Sequence, residues 1–274
     1  MALRVGSPPY LVARPLDCGL EREGQIELVR AVPSRLVELL RAGELDVALV
    51  SSIELFRRPG YAFLAGPAVS ARGPVASVQV FLRRPLAEVE TVALDPSSRA
   101  AQALTRIVLP RRLGRAPRFL EPPAGSDPAE ACPDAHAWLR IGDPALRTWL
   151  APAPPPAFNP SAAWTEDTGL PFVFAVWLVR AGLELTPGEV EAFAAARARG
   201  AEHIEALGRE ASQAWGLPLE ACRRYLREEC RYDAGPELEP ALWAFRDAAA
   251  ALGLCRADLE PRAVALPAAP CPRG

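Results

Sequence analysis

Serines at the ends of predicted strands are the residues of this 274-residue sequence best suited to chemistry. Ser51 and Ser52 follow an apolar stretch, Ser77 follows a glycine–proline turn, and the pair Ser97 and Ser98 precedes a predicted helix. In α/β folds such strand ends carry many of the ligand contacts. Hydroxyls beside the free backbone N–H groups of a helix start predict a binding site for a small anion.

Two further positions extend this pattern. Arg99 falls in the first turn of the helix that follows the serine pair, where its guanidinium could clamp a carboxylate. An ordinary helix cap beside a solvated arginine explains the same residues equally well. Gly142 and Asp143 end another predicted strand, and Asp143 either accepts hydrogen bonds from a ligand or caps the helix after it.

The usual catalytic signatures are missing. His136 and His203 lie in separate, unrelated contexts, so we expect neither to be catalytic. The sequence has no G-x-S-x-G elbow, Walker loop, H-E-x-x-H or G-x-G-x-x-G motif. The cysteines are scattered without a C-x-x-C pair, which predicts free thiols and no zinc site; they are Cys18, Cys132, Cys222, Cys230, Cys255 and Cys271.

Composition excludes several classes of partner. The 31 basic and 33 acidic residues are mixed along the chain and leave a net charge of −2, so we expect no binding to nucleic acid or to a membrane surface. No apolar run approaches the roughly 20 residues that span a bilayer. The N-terminus lacks the order of a secretory signal, which predicts a cytoplasmic protein.

Predicted strands alternate with predicted helices along the chain. One helix carries a leucine stripe, beginning at Pro33 and ending at Gly43; a second covers residues 99–112, and everything from about Pro187 onward reads as helical, with a frayed tail at 267–274. The strands are too apolar for exposure on either face, which favours parallel α/β sheets covered by helices. They cover residues 3–6, 25–32, 44–52, 76–84, 91–98, 137–143 and 171–180.

This order predicts two lobes, with the chain crossing between them twice. We expect residues 1–81 and 178–274 to form the first lobe and residues 82–177 the second, with the ligand in the cleft between them. The residues alone name no reaction.

Six segments, in this order, resemble the signature segments of bacterial chorismate dehydratases of the futalosine route to menaquinone. The segments are VGSPPYLVARPLDCGL, VPSRLVELLRAGELDVALVSSIEL, SARGPVASVQVF, VALDPSSRAAQAL, LRIGDPAL and TGLPFVFAVW. The resemblance implies the two-lobed, type II periplasmic-binding-protein-like fold in a cytoplasmic enzyme. It implies dehydration of chorismate to 3-[(1-carboxyvinyl)oxy]benzoate, with no metal and no organic cofactor.

The resemblance also implies roles for individual residues. Ser77 matches the serine of the family's GPVxS segment and is the expected catalytic contact with a substrate carboxylate. The expected substrate-binding residues are Tyr10, Val12, Ser52, Val75, Ser97, Ser98, Arg99, Gly142, Asp143, Thr168, Gly169 and Phe172.

The sequence departs from the family pattern at Val12, where relatives usually carry an asparagine that reaches the substrate. Arg14 is the nearby group that could compensate, so we count it as a second catalytic candidate. A small-anion-binding protein of the same fold without activity is one alternative. The related enzyme that cleaves cyclic dehypoxanthine futalosine is another, although neither histidine lies in the motif it would need. Nothing in the sequence indicates an oligomeric state.

Overall fold

The computed structural model describes residues 2–266 and shows an α/β protein built on two β-sheets, as the sequence predicts. Within these residues the first sheet has seven strands and the second has five. The strands in chain order are β1 (Leu3–Ser7), β2 (Ile26–Arg30), β3 (Val47–Ser51), β4 (Ala62–Ala71), β5 (Val78–Leu82), β6 (Thr91–Ala93), β7 (Arg118–Leu120), β8 (Ala137–Ile141), β9 (Ala157–Phe158), β10 (Phe172–Val179), β11 (Arg231–Asp233) and β12 (Arg262–Ala265).

The α-helices pack around these sheets. Longer helices carry buried stripes; in the second helix, for example, Leu36, Val37 and Leu40 are buried. The α-helices in chain order are α1 (Arg14–Asp17), α2 (Pro33–Arg41), α3 (Arg99–Leu113), α4 (Pro128–Ala131), α5 (Gly142–Trp149), α6 (Pro160–Thr168), α7 (Pro187–Trp215), α8 (Leu219–Arg224) and α9 (Leu238–Ala250). The helices predicted at 33–43 and 99–112 are confirmed within two residues at each end.

The first sheet has the order β11-β4-β10-β3-β1-β2, with β12 joined to β4. Strand β1 lies parallel to β2 and β3, whereas β10 runs antiparallel to β3 and β4. The sheet is therefore mixed, which corrects the expectation of purely parallel pairing. Strand β10 enters the sheet from the opposite end because the chain reaches it after passing through the second sheet.

The second sheet has the order β7-β6-β8-β5-β9. Strand β6 is parallel to β7 and β8, and β5 is antiparallel to β8. Helix α3 starts at Ser98, whose hydroxyl accepts the N–H of Ala101, and ends at the left-handed Gly114. This helix follows β6 directly, so its first turn lies where β6 ends.

The strand pairing limits the positions at which the chain can pass from one sheet to the other. Strand β5 belongs wholly to the second sheet and β10 wholly to the first. The predicted boundaries at 81/82 and 177/178 lie inside β5 and β10. If both strands stay intact, the chain passes between the sheets before Val78 and again before Phe172, a few residues ahead of those boundaries. The division into lobes with those boundaries stays a prediction.

The C-terminal part is not wholly helical, which corrects the sequence prediction. This region contains strands β11 and β12, and both pair with β4. The sequence analysis did not predict β4 either. Gly66 and Pro67 lie inside β4, and such residues in the middle of a segment argue against a strand when only the sequence is read. Here β4 has register irregularities against β10 and β11, which accommodate them.

Helix α7 ties the C-terminal region to the start of the chain. It begins with a capping box formed by Thr186 and Glu189. At Gly200 it passes so close to α1 that an added Cβ would lie 1.9 Å from the Pro15 carbonyl oxygen. Only glycine fits at this crossing, which holds the N-terminal segment in place.

Several expectations concern thiols, membranes and the tail. Cys18, Cys132, Cys222, Cys230 and Cys255 are free, as predicted. Cys271 and the tail at 267–274 lie outside the described residues. Between residues 2 and 266, no helix is both long enough and apolar enough to span a bilayer.

Candidate functional site

A cavity between the two sheets collects side chains from both of them, and we call it the central cavity. The space between atoms there, including the part open to solvent, is about 620 Å³. Its apolar wall comes mainly from Val12, Leu49, Val69, Val75, Val78, Ile141 and Phe174. Its hydroxyl and thiol groups come from Tyr10, Ser51, Ser70, Ser77, Ser98 and Cys230.

No arginine, histidine or carboxylate side chain lines the central cavity in the part of the chain that the structure describes. Partial positive charge can come from helix starts in the backbone instead. Pro33 is the first residue of α2, Ser98 caps α3 and Gly142 is the first residue of α5, and all three line the cavity. Each helix start carries roughly half a positive charge and unpaired N–H groups. Three such starts make the cavity suitable for an anion.

The four serine hydroxyls in the cavity wall differ in how many hydrogen bonds they already form within the protein. The Ser51 and Ser98 hydroxyls face each other at 3.5 Å, and Ser98 also accepts the N–H of Ala101 at 3.3 Å. Ser70 donates to the carbonyl of Arg231 at 3.2 Å. Ser77 is fixed through its backbone, since its carbonyl accepts the N–H of Gly142 at 2.9 Å. Its hydroxyl is therefore the one best placed to donate to a ligand.

Buried Asp95 holds the turn that carries the serine pair. One carboxylate oxygen accepts the N–H of Ser97 at 2.9 Å and also the Ser97 hydroxyl, while the other accepts the N–H of Ile141 at 2.9 Å. Burial raises the pKa of Asp95, and these donors oppose the rise. Ser97 is thus turned toward Asp95, and only Ser98 of the pair faces the cavity.

Tyr10 lies against the turn at Gly142. Gly142 has a φ of +65°, and a Cβ there would lie 3.0 Å from the Tyr10 ring, so glycine is required both by its conformation and by its neighbour. Burial raises the pKa of Tyr10, against the opposing effect of the Ser97 hydroxyl. Tyr10 therefore bridges the N-terminal segment and the second sheet at the cavity wall.

Asp143 connects the same two parts of the protein from outside the cavity. Its Oδ1 accepts the N–H of Leu11 at 2.9 Å, a contact between residues 132 positions apart. Burial raises the pKa of Asp143 to about 6, and the Leu11 N–H together with the charges of Arg147 and Arg14 opposes the rise. Asp143 does not line the central cavity. In this structure its carboxylate holds the backbone of the N-terminal segment at Leu11.

The two predicted arginines are not among the residues that line the central cavity. Arg14 pairs with Glu210 of α7 at 2.8 Å, and both side chains are about half exposed. Arg99 is exposed and lies close enough to Arg57 to lower the pKa of that guanidinium, after burial, which is the larger cause. Neither Arg99 nor Arg14 is among the residues that line the central cavity, so the structure does not bring Arg99 together with Ser77 and Ser98 there.

Four other predicted residues have roles in the fold. The Ser52 hydroxyl is buried and donates to the carbonyl of Val173 at 2.6 Å. Thr168 and Gly169 end α6, where the Thr168 hydroxyl donates to the Trp164 carbonyl and Gly169 adopts a left-handed φ of +68°. Phe172 is fully buried in an aromatic cluster with Trp164, Phe174 and Phe245. None of the four lines the cavity, whereas the predicted Tyr10, Val12, Val75, Ser77, Ser98 and Gly142 do.

Sequence reasoning missed several lining residues, among them Ser70, Phe174 and Cys230. Phe172 and Phe174 are two positions apart in β10, so a regular strand would turn both to the same face. The pairing of β10 with β4 shifts register between Val173 and Ala175, and Phe174 lines the cavity while Phe172 is fully buried. Only the strand register separates these two roles. Ser70 and Cys230 come from β4 and from the residue before β11, two strands that the sequence did not predict.

The histidines lie apart from this site, as expected. The Nδ1 atom of His136 is within hydrogen-bond distance of the Glu90 N–H, at 3.2 Å, and that of His203 lies 2.7 Å from the Arg199 carbonyl on α7. Across residues 2–266, no group of three or more metal-binding side chains comes together.

Comparison with solved structures identifies the fold. A protein of Archaeoglobus fulgidus superposes with a TM-score of 0.72 at 18% identity, covering 92% of this chain and 98% of that one. The periplasmic aliphatic sulphonate binding protein of Escherichia coli superposes with a TM-score of 0.61 at 18% identity, covering 93% of each chain. The fold is therefore the two-lobed periplasmic-binding-protein-like fold that the sequence predicts.

Sequence comparison identifies the family. A curated chorismate dehydratase of Thermus thermophilus is 29% identical over 238 residues, which are 81% of this chain and 86% of that protein. A chorismate dehydratase of Campylobacter jejuni is 31% identical over 167 residues, which are 61% of this chain and 58% of that protein. Residues 3–251 match the family described as menaquinone biosynthesis. The chain belongs to this menaquinone biosynthesis family.

Proposed function

We propose that this protein is a chorismate dehydratase, a carbon–oxygen lyase that converts chorismate to 3-[(1-carboxyvinyl)oxy]benzoate and water. The observation that carries the proposal is the central cavity itself. It presents serine hydroxyls and three helix starts, without a charged side chain, in a chain whose family works in menaquinone biosynthesis. The two chorismate dehydratases among its relatives support the choice of reaction.

The cavity suits a small dicarboxylate with a six-membered ring. Helix starts at Pro33, Ser98 and Gly142 offer partial positive charge to carboxylates. The rings of Tyr10 and Phe174 give the substrate ring an apolar surface. Beside so many apolar side chains, hydrogen bonds to a charged ligand are stronger than in water, because the local dielectric is lower.

The reaction requires the protein to orient the substrate more than it requires acid–base groups from the protein. A ring hydroxyl leaves as water, and the proton is lost from the neighbouring ring carbon that bears the ether. The ring then becomes aromatic, so much of the driving force belongs to the substrate. In our proposal the enolpyruvyl carboxylate of chorismate takes the ring proton and passes it to the departing hydroxyl, so that one water leaves and the carboxylate is regenerated. The cavity holds that carboxylate near the proton and excludes bulk water.

Individual residues have separate parts in this proposal. Ser77 donates its hydroxyl to a substrate carboxylate, and Ser98 with the start of α3 binds the other carboxylate. Gly142 lets the Tyr10 ring pack closely against its turn, which keeps that ring in the cavity wall. Val12 lies where the family's asparagine is expected, so this cavity lacks one hydrogen bond that relatives are expected to make.

Incubation of the purified protein with chorismate tests the proposal. Loss of the chorismate absorbance should accompany the appearance of an aromatic product of mass 18 Da lower, which chromatography with mass detection identifies. Ser77→Ala should slow this conversion. Ser126→Ala is the matched control, since its hydroxyl bonds only to the nearby Pro123 carbonyl in a surface loop. Binding of chorismate by the wild type without any product would indicate an anion-binding protein instead.

The proposal includes a cytoplasmic location, which rests on the family resemblance. Fractionation of cells that produce the protein, with detection by antibody, tests this part separately.

A further inference from the structure

Buried Asp95 lies between two neighbouring strand ends of the second sheet. It follows β6, and Ile141 is the last residue of β8, which lies parallel to β6. The carboxyl ends of parallel strands meet at one edge of a sheet, so the two residues come side by side. Asp95 is only 7% exposed, and the Gln102 side-chain amide donates to its carbonyl at 2.8 Å. The backbone of Asp95 is therefore held in place at this edge.

The two carboxylate oxygens of Asp95 serve different segments. Oδ1 accepts the N–H of Ser97 at 2.9 Å together with the Ser97 hydroxyl. Oδ2 accepts the N–H of Ile141 at 2.9 Å. A single buried carboxylate thus ties the turn after β6 to the end of β8.

Each of these contacts leads to a serine of the cavity wall. On one side, Ser98 directly follows the serine that Asp95 holds, and it lines the central cavity. On the other side, Ile141 is followed by Gly142, whose N–H donates to the carbonyl of Ser77 at 2.9 Å. Asp95 is therefore a shared support of Ser98 and Ser77, two cavity residues that belong to different strand ends.

We propose that Asp95 is a positioning residue that sets the distance between Ser77 and Ser98, so that the central cavity selects a dicarboxylate by the spacing of its carboxylates. That each serine binds one carboxylate rests on the proposed function; the link through Asp95 does not. A carboxylate suits this link because both of its oxygens accept hydrogen bonds. An amide of the same shape accepts at only one end and presents donors at the other.

Two dicarboxylates that differ only in spacing test this inference: 3-(carboxymethoxy)benzoate and 4-(carboxymethoxy)benzoate. Neither carries the ring hydroxyl that dehydration removes, so calorimetry measures binding alone. We expect the wild type to bind the 3-isomer at least about tenfold more tightly, because its carboxylates are spaced most like those of chorismate. In Asp95→Asn this preference should fall below about threefold, because the amide holds only one of the two segments. The isomers have equal charge, so loss of the Asp95 charge affects both alike.

Asp46→Asn is the matched control. Asp46 is also buried, and its carboxylate accepts the backbone N–H of Arg4 at 3.0 Å and pairs with Arg180 at 3.2 Å. None of these three residues lines the central cavity. We therefore expect Asp46→Asn to lower the free energy of unfolding, while the preference for the 3-isomer stays within about twofold of the wild type.

A second variant covers the case in which Asp95→Asn does not fold. Ser97→Ala deletes the hydroxyl bond to the same carboxylate and should lower the preference by at least about twofold. The inference is overturned by an unchanged preference in folded Asp95→Asn or, where that variant does not fold, in Ser97→Ala. An equal loss in Asp46→Asn, or a wild type that does not favour the 3-isomer, overturns it as well.

The same measurements separate this inference from the proposed function. A wild type that favours the 3-isomer but leaves chorismate unchanged contradicts the dehydratase proposal and leaves the role of Asp95 intact. A wild type that dehydrates chorismate, while Asp95→Asn keeps the full preference, contradicts the role of Asp95 alone.

Discussion

Restoring the family's asparagine by Val12→Asn should increase chorismate dehydration. Val12 lines the central cavity and is only partly buried, so an asparagine amide there can reach both a bound ligand and water. A hydrogen bond to a charged group contributes about 1.5–3 kcal/mol, which corresponds to roughly a 10- to 150-fold gain in kcat/KM. Because the free amide is hydrated before the substrate binds, we expect the lower end, about 10-fold.

The position of Arg14 in the structure also determines the effect that we expect from Arg14→Ala. Its guanidinium pairs with Glu210 outside the cavity, with 45% and 56% of the two side chains exposed. Such an exposed pair contributes about 0–1 kcal/mol to stability and nothing to ligand binding. We therefore expect Arg14→Ala to leave turnover unchanged, and its effect to add to that of Val12→Asn without coupling.

The assay is steady-state conversion of chorismate by the wild type and by the variants Val12→Asn, Val12→Asp and Arg14→Ala, with melting temperatures measured alongside. Val12→Asp is the matched control, since it has nearly the shape of asparagine but adds a negative charge and should reduce binding of a dianion. A tenfold loss on Arg14→Ala would refute the placement of that arginine. Equal activity of the asparagine and aspartate variants, in folded protein, would refute the idea that residue 12 contacts the substrate.

Three further outcomes follow from the site. Ser77→Ala should lower kcat/KM by about 5- to 150-fold, the effect of removing about 1–3 kcal/mol of transition-state stabilisation, and an unchanged rate would remove Ser77 from the site. Gly142→Ala should lower the free energy of unfolding by at least about 1–2 kcal/mol, measured in denaturant, because alanine is strained at a φ of +65° and its Cβ would press on the Tyr10 ring. The raised pKa of Asp143, about 6 against an ordinary 3.8, means that the folded state holds this proton longer than the unfolded chain. Protonated Asp143 therefore stabilises the folded state fully below about pH 4, and this stabilisation is lost as the pH rises through 6. Asp143→Asn should remove this part of the pH dependence of the free energy of unfolding, measured between about pH 4 and 7.

The sequence by itself determined the fold class and several of the segments that form the cavity wall. Apolar strands that end in small polar residues are local patterns, and they singled out Ser77, Ser98 and Gly142, which line the central cavity. The family resemblance added Tyr10 and Val12, which also line it. The roles of these residues toward a ligand stay predictions. Their positions could be read from the sequence because the end of a buried strand and the start of the helix after it depend on neighbours in the chain.

Only the tertiary structure decided where individual side chains point. Arg14 leaves the cavity because Glu210, a residue 196 positions away, lies on the helix that packs beside it. Phe172 and Phe174 would share one face of a regular strand, but β10 has a register shift between Val173 and Ala175, and only Phe174 lines the cavity. Cys230 lines the cavity because β11 pairs with β4, a strand whose internal glycine and proline conceal it. Pairing between distant strands depends on the whole fold, so no local pattern of residues could show it.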